Sequence, residues 1–198
     1  MKLDHTFYQK KDVVRLAKSL IGKVLVSNFD HQYCSGVITE TEAYNGIHDK
    51  ASHAYGGRRT RRTEIMYAEG GTAYVYLIYG IHSLFNVVSN KKDIPHAILI
   101  RAIQPLEGIG FMEARRKKPA TAKGFTTGPG VVSEAMGIHF SHSGISLLGN
   151  EIWIEDRGIQ LTGKTIEATP RIGVDYAGED AFLPYRFLLK EQLIRGKK

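Results

Sequence analysis

Apolar and polar positions along this 198-residue chain follow two periods, one short helical stretch near the start and then a succession of strand-like runs. After Asp12, the residues Val13, Leu16, Ala17, Leu20 and Ile21 fall at i, i+3, i+4, i+7 and i+8. That is the spacing of an amphipathic helix, with Asp12 as its N-cap and Gly22 as its stop. Runs rich in β-branched and aromatic residues then predict strands at Val24–Ser27, Gly36–Tyr44, Thr72–Tyr79, Leu84–Ser89 and Ala97–Ile103. The turn signals between them, Gly70-Gly71 and Asn90-Lys91-Lys92-Asp93, favour mainly antiparallel pairing. Pro105 is expected to open a helix reaching about Lys117, and Pro129 another, from Gly128 to Met136, closed by Gly137. Late strands are expected at Ile152–Glu155, around Ile166 and near Phe187–Leu189. Helices before and between runs of strands predict an α+β fold, and the absence of any linker-like tract predicts one domain over residues 1–198.

Composition narrows the class further. The hydrophobic share of 42% and charged share of 24% are those of an ordinary globular protein, and no window holds 18 apolar residues, so no membrane contact is expected. The opening MKLDHTFYQKKDVV has no apolar core before a cleavage site, and the single cysteine, Cys34, allows no intramolecular disulfide. Both predict an intracellular setting, the cytoplasm or bacterial nucleoid. A net charge of +7 and a pI near 9.4 favour a polyanionic partner.

Candidate chemistry is concentrated between Glu40 and Arg101. Strict alternation in Gly36–Tyr44 puts Ile38, Glu40, Glu42 and Tyr44 on one face, which reads either as a solvent-facing edge or as a carboxylate held in a cleft as general base. Tyr74 and Tyr76 share a face while Tyr79 points the other way, a pattern compatible with ordinary sheet packing or with rings available for stacking. Arg58, Arg59, Arg61 and Arg62 follow two glycines, with no acidic residue between Asp49 and Glu64, and this favours phosphate contact over a merely solvated run. A second basic cluster, Arg115 to Lys118, ends a predicted helix, where cations are favoured in any case. Stacking faces beside positive charge suit an unstacked base. The eight histidines show no zinc-type spacing, and GxSxG, P-loop and GxGxxG patterns are missing, so neither a metal nor a cofactor is expected.

Taken together, the blocks LAKSLIGKVLV, VITETEAY, ASHAYGGRRT, GTAYVYLIYGIHSLFNVVS, ILIRAIQPLEG, TTGPGVVSEAMGI and PRIGVDYAGEDAFLPYRF resemble the alkyladenine DNA glycosylase family over nearly the whole chain. The resemblance implies a curved antiparallel sheet with surrounding helices, and an enzyme that flips damaged purines from duplex DNA and hydrolyses the N-glycosidic bond. It implies Glu42 as general base, with Arg101 and the carbonyl of Ile172 holding the water. Tyr44, His53 and Tyr76 would sandwich the base, Asn86 would border it and disfavour guanine, and Tyr79 would wedge into the minor groove. Ile81 and His82 depart from the vertebrate pattern after that tyrosine. A base alkylated at N3 or N7 is cationic and would be drawn to the faces of Tyr44 and Tyr76. No lysine lies in the pocket motifs ETEAY, YVYLIYG and LIRA, so a monofunctional enzyme is expected, and a monomer. The alternative is a non-catalytic module that binds damaged DNA or RNA with the same surface.

Overall fold

The computed structural model describes residues 1–159, 161 and 166–190. A short helix α1 (His5–Tyr8) precedes α2 (Val13–Leu20), and in α2 the Asp12 carboxylate accepts the N–H of Arg15 at 2.9 Å, the predicted cap. Val13, Leu16, Ala17 and Leu20 are buried, and Gly22 turns the chain at φ 83° into the sheet.

Eight strands form one sheet among the described residues: β1 (Val24–Phe29), β2 (Gln32–Tyr44), β3 (Ala73–Ile78), β4 (His82–Ser89), β5 (His96–Glu107), β6 (Ile152–Glu155), β7 (Ile166–Thr169) and β8 (Arg186–Leu189). Their order is β3-β4-β5-β2-β1-β6, with β8 joined to β2 and β7 to β8, and every pair is antiparallel as expected. β1 and β2 are longer than the apolar runs that mark them. They are joined through Asp30 and His31, both at positive φ, the backbone of a tight hairpin that matches strand twist.

Two helices follow β5, α3 (Ile109–Arg116) and α4 (Pro129–Met136); α4 packs on β4 and β5, α3 packs on α4, and α2 covers β2 and β5. The main core between helices and sheet includes Leu16, Leu20, Ile38, Phe85, Ile98, Ile100, Met112 and Met136. Gly137 closes α4 at φ 68°, as the sequence indicates.

Pro105 does not open a helix. It lies inside β5, opposite Gly36, where the strand has run past its pairing with β4 and the missing N–H breaks no ladder on that side. The helix waits for Gly108, whose φ of 71° and closeness to Tyr33 admit no side chain: a Cβ there would sit 2.1 Å from the Tyr33 carbonyl oxygen. The segment between β2 and β3 is irregular, as expected, with single 3-10 turns at Gly46–His48, Tyr55–Gly57 and Glu64–Tyr67.

Candidate active site

Beyond an irregularity at Ser35/Gly36, the ladder between β2 and β5 slips twice more, on either side of Glu40. Ile38 pairs with Ile103, Glu40 with Ala102 and Thr41 with Ile100, so Thr39 is an extra residue on β2 and Arg101 an extra residue on β5. The first bulge reverses the side-chain alternation. Ile38 therefore joins the main core together with Ala43, while Glu40, Glu42 and Tyr44 face the other way. The expected common face of Ile38 with the two glutamates is thus corrected by the extra residue. The second bulge aims Arg101 at both carboxylates.

Glu42 is fully buried, and it is not a solvent-facing edge residue. A buried carboxylate costs several kcal/mol unless it is paired and hydrogen-bonded, on the order of the Born penalty after relaxation. Here Oε1 accepts the Ile172 N–H at 2.8 Å, and Oε2 accepts the Tyr44 hydroxyl at 2.9 Å and Arg101 Nη1 at 3.3 Å. Glu40 shares the same arginine: its Oε1 accepts Arg101 Nε at 2.9 Å and Arg186 Nε at 2.6 Å. Burial opposes the charge on Arg101, yet Glu42 and Glu40 outweigh it, and the guanidinium is held more firmly protonated than usual.

In front of this network lies a cavity of about 500 Å³. Tyr44, Arg101 and Ile172 form the wall between it and Glu42, and Tyr74, Tyr76, Tyr176, His53 and Asn86 supply much of the remaining lining. His53 Nδ1 is 3.0 Å from the Tyr74 hydroxyl, and its ring meets Tyr76 edge-on at 4.7 Å. Burial first, and then the charges of Arg62 and Arg58, push His53 down to about 4, so it is neutral at physiological pH. Burial likewise pushes the Tyr44 and Tyr76 hydroxyls well up, and both stay protonated. The Asn86 amide nitrogen donates to the Tyr74 and Leu84 carbonyls, each at 3.2 Å, which fixes the side chain and leaves its oxygen as an acceptor.

Behind Tyr44 sits a pair that sequence reasoning missed. Arg171 binds Asp49 through two nitrogens, at 2.5 and 2.8 Å, and also donates to the Ala43 and Asp180 carbonyls. Its guanidinium carbon lies 5.0 Å from the Tyr44 ring centre. Asp49 in turn accepts the N–H groups of Asn45 and Ala51, so one buried ion pair ties the irregular segment after β2 to the segment carrying Ile172. Tyr176, also missed, lines the cavity and donates its hydroxyl to the Ala51 carbonyl. Arg171 and Tyr176 lie beside Ile172 in PRIGVDY, but nothing in that block links Arg171 to Asp49.

The rim of the cavity is different in kind. Tyr79 is 86% exposed at φ 53°, a strained conformation for an aromatic residue, at the tip of the β3–β4 hairpin. Of the four arginines in the glycine-arginine turn, Arg59 is consumed by Glu64 and Asp93, Arg58 is exposed, and Arg62 lies over the Tyr76 ring at 4.9 Å. The second basic cluster is half committed to the fold, because Arg115 donates to Gln32 and Ala135 and Arg116 pairs with Glu134. Among the described residues, no three His, Cys, Asp or Glu side chains gather as metal ligands, and no helix is long and apolar enough to cross a membrane.

An aromatic slot backed by a fixed carboxylate can hold a flat heterocycle and present a base to the bond beside it. The comparisons with known proteins agree with that shape. A protein of Chlamydia abortus named "Putative 3-methyladenine DNA glycosylase" is 48% identical over 188 residues, 94% of this chain and 97% of its own. A Clostridium perfringens protein of the same name is 43% identical over the full length of both chains, and one from Desulfitobacterium hafniense is 39% identical over 96% of each. The family model for methylpurine-DNA glycosylase matches residues 6–193, and the chain belongs to that family.

Proposed function

We propose that this protein is a monofunctional DNA glycosylase that excises alkylated or deaminated purines from duplex DNA by carboxylate-activated water. The observation that carries this reading is the fully buried Glu42, hydrogen-bonded by Arg101 and the Ile172 N–H directly behind an aromatic cavity. A flipped purine stacks between Tyr44 on one side and Tyr76 with His53 on the other. Water enters beside Arg101, whose 3.3 Å contact is the longest of the three to Glu42. The carboxylate takes a water proton while the oxygen attacks C1′, with Arg101 and the Ile172 carbonyl holding the water in line. Asn86, fixed by two backbone carbonyls, borders the purine at C2 and disfavours the exocyclic amine of guanine. Tyr79 fills the gap in the base stack, and Arg58 and Arg62 bring charge to the backbone of genomic DNA. Cleavage of the strand through a Schiff base would require an amine; the lining side chains are aromatic, amide, apolar and guanidinium groups.

The test is to incubate the protein with duplexes that each carry one modified purine, with chelator present. Free base and an alkali-labile site, with no covalent adduct trapped by borohydride, are expected. Intact lesions throughout would overturn the glycosylase reading, and a trapped adduct would overturn its monofunctional part.

A further inference from the structure

Two arginines, Arg62 and Arg101, line the cavity, and among the described residues no carboxylate lines it. Arg101 is balanced by Glu40 and Glu42, and Arg59 in the neighbouring turn by Glu64 and Asp93. Arg62 has no such partner among the described residues. Its guanidinium sits at the mouth of the cavity over the face of Tyr76, 4.9 Å from the ring centre. Tyr44, the other stacking ring, carries Arg171 at 5.0 Å. A ring whose π face already faces one cation attracts a second less. The cation-attracting capacity expected of Tyr44 and Tyr76 is therefore partly used by the protein itself.

We propose that Arg62 sets the charge preference of the cavity, favouring neutral purine lesions such as hypoxanthine over cationic N3-methylated ones. The proposal rests on the glycosylase reading above and adds a specificity-determining residue to it. In the hydrolysis the C1′–N9 bond breaks with its electron pair going to the purine, the water oxygen bonds to C1′, and Glu42 takes the water proton. A neutral purine departs with developing negative charge until it is protonated, and a guanidinium near it stabilises that charge. An N3-methylated purine starts cationic and is neutralised by the departing pair, so Arg62 has nothing to stabilise in its transition state and repels it on insertion. The depressed basicity of His53, which Arg62 helps to cause, keeps the imidazole beside Tyr76 from acting as a second cation.

The experiment compares single-turnover release of hypoxanthine and of 3-methyladenine from duplexes of equal length by the unsubstituted protein, Arg62→Gln and Arg62→Lys. Arg62→Gln is expected to lower the hypoxanthine-to-3-methyladenine rate ratio about five-fold, the scale of one unit charge acting through water at close range. Arg62→Lys keeps the charge and is expected to keep most of the ratio. Equal losses on both substrates, as from a lost phosphate contact, would overturn the role of Arg62 and leave the glycosylase reading standing. Release of neither base by the unsubstituted protein would overturn both.

Discussion

The wall of the cavity and its rim lie side by side, yet they are built on opposite terms. In the wall, Glu42, Glu40, Arg101, Asp49 and Arg171 are buried or nearly so, and each charged group has hydrogen-bonding partners of opposite sign. At the rim, Tyr79 stands exposed on a strained backbone, and among the described residues Arg58 and Arg62 are exposed and pair with no carboxylate. A preorganised polar wall suits chemistry, because its dipoles need no rearrangement as charge develops. A loose, cationic, partly apolar rim suits a long polyanion that must be gripped, bent and released. The difference teaches that substitutions in the wall and at the rim should fail in different observables.

The largest effect on folding should come from breaking the buried pair. Asp49→Ala strands the Arg171 guanidinium, and loss of one partner of a buried ion pair typically costs about 3–5 kcal/mol. Denaturant unfolding should show it, together with slower excision as the Ile172 segment loosens; a variant as stable as the parent would mean that the pair does not organise the wall.

Tyr79→Ala should spare stability and weaken flipping, since a wedge offsets an unstacking cost of about a few kcal/mol. The loss should be greater for a stably paired lesion than for a mispaired one. Equal losses on both would assign Tyr79 to the hairpin alone.

Acidity should act on the wall through His53. Its value in the folded protein, about 4, lies below the ordinary 6.5, so the unfolded chain binds more protons between these limits. The neutral buried ring therefore loses stability for the fold as pH falls from about 6.5 towards 4. Thermal unfolding across that window should drop less steeply in His53→Gln than in the parent. A parallel drop in both would remove His53 from the acid response.

The smallest change is expected at the rim. Arg58→Ala should reduce the log–log salt slope of DNA binding by about 0.9, the counterion share of one phosphate contact. Binding to undamaged and damaged duplex should weaken alike, and an unchanged slope would take Arg58 off the interface.

Much of this contrast was legible in the chain. The period of Val13 to Ile21 and the β-branched runs located α2 and the central strands, and the ETEAY and YVYLIYG blocks supply residues that the fold brings to the candidate site. What escaped was whatever period 2 or local composition cannot encode. An extra residue at Thr39 leaves no compositional trace, yet it turned Glu40 and Glu42 away from Ile38. Pro105 carries the same local signal at a helix start as at a strand end with one free side. Asp49 and Arg171 stand 122 positions apart, so nothing in either neighbourhood announces the pair. The run of four arginines looked uniform, and only the fold separates Arg59, bound to Glu64 and Asp93, from Arg62 over Tyr76.

The central claim is that Glu42 activates water behind an aromatic base cavity. Glu42→Gln keeps the size of the side chain and its acceptor for the Ile172 N–H, and removes the basic oxygen. Single-turnover excision and lesion-duplex binding should be measured on the same preparation. The account predicts excision slowed by about 10²–10⁴-fold with binding nearly intact, the usual consequence of losing a general base. Excision at the parental rate by a folded Glu42→Gln protein would contradict it.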